Sequence, residues 1–238
     1  MGMPKDILPE IQLLIFDLDG TLADTKTDLA LAVNAMRDKL SLAPLSHDTV
    51  ASYVGQGVTS LVRHALADEN TAASATDEKV EKAIAIFLDH YRHHMLDHTV
   101  IYPGVREALA ELRDRRLAVL SNKPVGFSRE MLAGLGVAHF FSFIYGGNSF
   151  DQKKPDPVGV AALMRDTGIP ASQTMIIGDS DTDVLTGRNA GVWTCGVTYG
   201  FGAQTLAACP PDLLLSDLRE LPPLLNSGNR SQGLSAAP

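Results

Sequence analysis

The apolar residues of this chain are gathered into short, turn-bounded runs separated by helical patterns, and this arrangement restricts the fold more than any other feature. Five runs read as strands: Ile11–Phe16, Leu117–Leu120, Phe143–Tyr145, Thr174–Ile177 and Val192–Val197. A sixth, Leu213–Leu215, reads as an added edge strand. None alternates cleanly between apolar and polar residues, so each is expected to be covered on both faces. Val105, Ala108, Leu109 and Leu112 recur at the spacing of one buried helix face. Leu132 with Leu135, and Val160 with Leu163 and Met164, mark two further helices. Strands alternating with helices predict an α/β protein with a parallel sheet between helical layers.

One connection does not fit that scheme. About 95 residues separate Thr21 from Leu117, whereas a crossover needs only a dozen or so residues including its helix. Their pattern is helical throughout. Leu29, Val33, Met36 and Leu40 form one stripe, and Val58, Leu61, Val62, Ala65 and Leu66 a second. Val80, Ile84, Phe87, Tyr91 and Met95 form a third. Residues 26–98 are therefore read as a helical subdomain inserted into a core made of residues 1–25 and 99–226, with 227–238 as a disordered tail.

Composition excludes several classes of function. Twenty Lys and Arg against 28 Asp and Glu give a net charge of −8, which disfavours nucleic acid and anionic membrane as partners. Cys195 and Cys209 have no metal or redox spacing, so a reduced, cytoplasmic setting is expected. No apolar run approaches the roughly 18 residues of a membrane span, and "MGMPKDILPE" lacks the apolar region of a signal peptide.

Sites in open parallel α/β sheets lie beyond the carboxyl ends of the strands, and the reactive side chains of this chain fall there. Asp17 and Asp19 follow the first strand, Ser121 and Asn122 the second. "DQKKPDP" (151–157) comes after the third and "GDSDTD" (178–183) directly after the fourth. A calcium loop starting at Asp17 fails, because its sixth position is Leu22 and its twelfth is Asp28. A Mg2+ site explains the crowding of Asp17 and Asp19, since hard oxygen ligands hold the ion and leave room for water and phosphate. Asp179 sits at a strand tip, and Asp183 lies about one helical turn on, so it can face the same side.

Ser121 and Asn122 can cap a helix or donate to a phosphate oxygen. Lys154, held extended by Pro155, can neutralise a nucleophile and phosphate together, while Lys153 is expected to be solvated. Together these groups suit phosphoryl transfer. A carboxylate attacks phosphorus, a second acid protonates the leaving alcohol and later deprotonates water, and the cations stabilise the equatorial oxygens.

From residue 11 to 222 the chain resembles the haloacid dehalogenase superfamily, with "DLDGT", "LSN", "KKPDP" and "GDSDTD" in the order of its four motifs. The resemblance implies a Rossmann-like core with a helical cap and a Mg2+-dependent phosphomonoester hydrolase working through an aspartyl-phosphate. It implies Asp17 as nucleophile and Asp19 as acid/base, the latter lending its backbone carbonyl to the metal. Gly20, Thr21, Ser121, Asn122 and Lys154 would hold phosphate; Asp179 would bind the metal, and Asp183 would support its shell and orient Lys154. Among these enzymes, "YVGQGVTSLVRHAL" (53–66) is similar to the cap segment of phosphoglycolate phosphatases. That likeness implies contact of Gly55, Gln56 and Gly57 with substrate and makes Arg63 a candidate for its carboxylate. Sugar phosphates, pyrophosphate and N-acetylmuramic acid 6-phosphate are the alternative substrates within the superfamily.

Two other readings compete. A phospho-accepting receiver domain also combines acids, a hydroxyl, a lysine and Mg2+, but it is shorter, has no helical insert and lacks an acid two residues past the acceptor. A catalytically idle protein on the same fold is opposed by the filled catalytic positions. His90, His94 and His98 recur at i, i+4, i+8 within "DHYRHHMLDH" but lack the Glu of a zinc-protease helix, and they read as a solvated face. Oligomeric state is not encoded in any of these features.

Overall fold

The computed structural model describes residues 10–67 and 76–230. Eight strands are present among them: β1 (Leu13–Phe16), β2 (Ala23–Asp24), β3 (Val100–Ile101), β4 (Arg116–Leu120), β5 (Phe143–Tyr145), β6 (Thr174–Gly178), β7 (Trp193–Val197) and β8 (Leu213–Leu215). Six of them form one parallel sheet in the order β5-β4-β1-β6-β7-β8. All six apolar runs of the sequence lie in this sheet, and the fold is α/β as expected. The first run enters the sheet only at Leu13, two residues later than its apolar content indicated.

Packing on both faces explains why β1 is apolar at every position. Leu14 and Phe16 face one cluster, with Val105, Leu109 and Met131, whereas Leu13 and Ile15 face another, with Val160, Leu163 and Ile176. A period of two is therefore present, but apolar layers on both faces hide it from the sequence. Helices α5 (Val105–Glu111), α6 (Val125–Gly134) and α9 (Leu221–Arg230) lie on the first face. Helix α7 (Val158–Thr167) covers the second, with α8 (Asp181–Ala190) packed beside it on β6 and β7. Residues 227–230 of the expected tail continue α9, whose Pro222 and Pro223 sit in the first turn where no backbone N–H is needed. The remainder, 231–238, lies outside the described residues.

The residues between β2 and β3 carry α1 (Lys26–Lys39), α2 (His47–Ala51), α3 (Val58–Leu66) and α4 (Asp77–His94). The three apolar stripes map onto α1, α3 and α4, and Leu29, Val33, Met36, Leu61, Val62, Val80, Phe87 and Tyr91 are buried together. Arg37 fastens this group, donating to the carbonyls of Ala43 and Ala65. The chain enters and leaves the helices through a two-stranded antiparallel ribbon that pairs Ala23 with Ile101 and Asp24 with Val100. Neither α2 nor the ribbon is long enough to show a period in the sequence. No described helix is long and apolar enough to cross a membrane.

Candidate active site

Strand register assembles the site. Phe16 pairs with Val119 on one side and Ile177 on the other, so β1, β4 and β6 end at one level. Asp17, Ser121 and Asp179 leave the sheet there. This is also where strand order reverses, with β4 and β5 to one side of β1 and β6 to β8 to the other, the usual place for a ligand crevice in such sheets. Gly20 adopts φ +84°, and a Cβ on it would lie 2.2 Å from Asp179 Oδ2. Only glycine lets the first loop pass this close to the acid.

Asp17, Asp179, Asp183 and Lys154 are all buried. Lys154 Nζ lies 2.9 Å from Asp17 Oδ1 and 2.6 Å from Asp183 Oδ1, while Lys153 is exposed. Asp183 also accepts from the N–H and hydroxyl of Ser180 at the start of α8, at 3.2 and 2.8 Å. Asp179 accepts from Gly202 N–H at 2.8 Å and from the Thr21 hydroxyl at 3.4 Å. Burial opposes the charge on Lys154, but Asp17 and Asp183 more than offset it and hold its pKa above the usual lysine value. Burial pushes the Asp17 carboxyl up, Lys154 pulls it back, and the charges of Asp183 and Asp19 leave it at about 6. Asp179 is raised well above the carboxylate range by burial and by Asp183 and Asp17.

These acids fit a divalent cation. One carboxylate oxygen from each of Asp17, Asp179 and Asp183 lies within 4.8 Å of the others. Three buried acids and one lysine leave two negative charges, the charge a dication removes. The buried Asp17 Oδ1 meets the Lys154 ammonium as an ion pair at 2.9 Å and has no further partner among the described residues. Hard oxygen donors in this number suit Mg2+ more than a thiol- or imidazole-seeking metal.

Asp19 is held on a different side. Its Oδ1 accepts from the hydroxyl of Thr25 at 2.8 Å, and Lys123 Nζ contacts both of its oxygens at 2.9 and 3.1 Å. Lys123 is buried, with its ammonium 4.7 Å from the centroid of the Tyr91 ring. Burial works against the charge on Lys123, and Asp19 and Tyr91 outweigh it, so its pKa is raised. Sequence reasoning missed both Thr25 and Lys123. The available signal for Lys123 was its position directly after Ser121 and Asn122 at the end of β4.

Three of the phosphate-site candidates differ in how they are engaged. Ser121 accepts from Lys123 N–H at 3.3 Å and keeps its own hydrogen for another acceptor. Thr21 donates to Asp179. Asn122 is already engaged: its amide nitrogen donates to Gly55 O at 2.8 Å and Lys154 O at 2.9 Å, and its oxygen accepts from Lys154 N–H at 2.9 Å. It braces the loop of Lys154 against the insert.

Gly55 and Gly57 line a cavity above Asp17 and Asp19, together with Leu29, Val54, Phe87, Tyr91, Lys123 and Phe127. Gly57, at φ +87°, brings its Cα so near that a Cβ would be 3.3 Å from Asn122 O. The other two candidates from this segment are elsewhere. Gln56 is exposed and accepts from Ser60, and Arg63 is tied to Asp77 at 2.5 Å on the outside of α3. Neither lines the cavity. The three histidines do not converge: His90 stacks on His94, which bonds Asp97, while His98 bonds Asp28.

The family model for haloacid dehalogenase-like hydrolases matches residues 14–197. A phosphoglycolate phosphatase from Pseudomonas fluorescens (strain Pf0-1) is 40% identical over 216 residues, covering 89% of this chain and 79% of the relative. One from Chromobacterium violaceum is 38% identical over 224 residues, covering 93% and 99%. A crystal structure from Haemophilus somnus 129pt, described as a predicted phosphoglycolate phosphatase, has a TM-score of 0.85 at 29% identity and covers 90% of this chain and 97% of its own. With the four strand-end motifs gathered at one reversal of strand order and most of its length matched, the protein belongs to the haloacid dehalogenase-like hydrolase family.

Proposed function

We propose that the protein is a cytoplasmic, Mg2+-dependent phosphomonoesterase that hydrolyses 2-phosphoglycolate to glycolate and phosphate through an aspartyl-phosphate. The observation that carries the reading is the position of Asp17. It stands at the tip of the central strand beside Lys154 and two further buried acids, under a cavity roofed by the Gly55–Gly57 turn. The name shared by relatives at 38–40% identity supports the choice of substrate.

An Asp17 oxygen attacks phosphorus, and the bond from phosphorus to the leaving oxygen breaks as Asp19 gives that oxygen a proton. Asp19 then takes a proton from water, the water oxygen attacks phosphorus, and the bond to Asp17 breaks. Lys154 and the Ser121 hydroxyl hold the phosphoryl oxygens, while Asp183 and Asn122 keep Lys154 in place. Asp17, the Asp19 carbonyl and Asp179 would hold Mg2+, with Asp183 behind them, and the bound ion supplies positive charge against phosphate. The helices between β2 and β3 act as a cap that excludes water, pivoting at 22–26 and 98–103, where the ribbon lies.

The test is phosphate release from a panel containing 2-phosphoglycolate, sugar phosphates, pyrophosphate and N-acetylmuramic acid 6-phosphate, with and without Mg2+. The highest kcat/KM belongs to 2-phosphoglycolate, and Asp17→Asn is inactive on all. Release without Mg2+, or undiminished release by the Asn variant, refutes the mechanism; a better ester refutes the substrate.

A further inference from the structure

Lys123 and Tyr91 form a pair that the reaction outlined above leaves without a task. Lys123 comes from the end of β4 and Tyr91 from α4 of the insert, and both line the cavity above Asp17. Among the described lining residues, Lys123 is the one cation; the remaining wall on the insert side is apolar, with Leu29, Val54 and Phe87. Tyr91 is 2% exposed, and its buried hydroxyl lies beside the Lys123 ammonium, which can only donate, so the hydroxyl hydrogen has no acceptor among the described residues. A buried hydroxyl left unpaired costs stability unless something else satisfies it.

We propose that Lys123 and Tyr91 together bind the anionic end of the leaving group, selecting esters whose carboxylate lies next to the carbon that bears phosphate. The inference rests on the phosphatase reading above and assigns its substrate selectivity to a core lysine and an insert tyrosine instead of Arg63. Two observations, together with the mechanism proposed above, place the carboxylate. Lys123 already holds a carboxylate, that of Asp19, through both oxygens. In the mechanism proposed above Asp19 faces the leaving oxygen, which puts the ammonium within a few bonds' reach of it. A carboxylate has a second oxygen to offer, and the Tyr91 hydroxyl, its hydrogen without an acceptor, is a donor beside the same ammonium. Burial pushes the Tyr91 hydroxyl up to about 12, so it retains its hydrogen. The apolar wall suits a methylene and offers nothing to the hydroxyls of a sugar.

The experiment compares two esters of equal reach, 2-phosphoglycolate and 2-hydroxyethyl phosphate, on wild type, Lys123→Met, Tyr91→Phe and Lys153→Met. Methionine keeps the length of the lysine stem, and phenylalanine keeps the ring stack. Wild type prefers the carboxylate ester. Lys123→Met loses that preference by about 10- to 100-fold, the range of a hydrogen bond to a charged group, and Tyr91→Phe loses a smaller part. Lys153→Met, altered at an exposed position, keeps the wild-type ratio. The ratio is the readout because loss of Lys123 also disturbs Asp19 and lowers turnover of both esters. A Lys123→Met enzyme that falls equally on the two esters overturns the inference while the phosphatase reading stands. Wild type that releases phosphate from neither ester overturns the phosphatase reading instead. Glycolate raises the Tm of wild type and not of Lys123→Met, a binding measurement independent of turnover; an equal rise in both proteins also overturns the inference.

Discussion

The Asp28 carboxylate at the start of α1 accepts hydrogen bonds from both the N–H and the hydroxyl of Thr99, at 2.8 and 2.7 Å. His98 adds its backbone N–H and its Nδ1 to the same acid. The two chain segments at the root of the insert are thus joined by one buried side chain.

Stability should depend on pH through this acid. Burial pushes the Asp28 carboxyl up, but the hydrogen bonds from His98 and Thr99 outweigh it and hold it below its usual range. Its folded pKa lies below the unfolded one, so its contribution is complete above about pH 4 and is lost as pH falls through the folded value. Asp28→Asn should cost about 1–3 kcal/mol at pH 7 by urea unfolding, with the gap to wild type closing toward pH 3. A gap that stays constant with pH would contradict this account.

Mg2+ should stabilise the folded chain by relieving repulsion among Asp17, Asp179 and Asp183. A ligand at a hundred times its Kd adds about 2.7 kcal/mol, which in a chain of this size raises Tm by roughly 5–10 °C. Differential scanning fluorimetry should show this rise, its reversal by EDTA and its loss in Asp179→Asn. Without Mg2+ the Asn variant should unfold no earlier than wild type, because one buried like charge has been removed.

Asn122→Ala should act in two places at once. It removes the donor to Gly55 O and the acceptor for Lys154 N–H, leaving buried backbone groups unpaired at a cost of about 1–3 kcal/mol. Amide exchange should quicken both in the Gly55–Gly57 turn and around Lys154, with kcat/KM falling. Quickening confined to one of the two sites would show that Asn122 does not couple them.

Arg63→Met should be nearly silent. Its partner Asp77 is strongly exposed, at 85%, and such surface pairs contribute about 0–1 kcal/mol. Expected kcat/KM on 2-phosphoglycolate stays within about twofold of wild type, since a surface substitution of this kind moves nothing in the cavity. A tenfold loss would place Arg63 at the substrate.

The parts of this protein that could be read in its sequence are those written in contiguous residues. Asp17 with Asp19, and Asp179 with Asp183, declare themselves because each pair sits at the end of an apolar run, and the sheet then brings the runs together. Lys154 was separable from Lys153 by the proline that follows it. Residues whose meaning depends on a distant partner were not legible. Lys123 looks like a surface lysine until Asp19 and Tyr91 are seen around it. Thr25 looks like a helix cap, yet its hydroxyl turns to Asp19. Asn122 reads as a phosphate ligand because only the folded chain shows Gly55 at its amide, 67 residues away. Arg63 was ambiguous in the sequence for another reason, since a helix exposes residues on all sides and the motif does not say which side faces the cavity.

The position of β1 in the sheet has a consequence for biosynthesis. The strand made first lies between β4 and β6, so one of its edges stays open until residue 120 has been joined to the chain and the other until residue 178. An open apolar edge seeks another strand, and pairings this distant in sequence form slowly. The helical insert, whose contacts are closer in sequence, can fold while the rest is still being made. A chain halted before β6 would therefore hold a folded insert beside a strand with one edge open, with aggregation as its hazard and no partial activity to show for it.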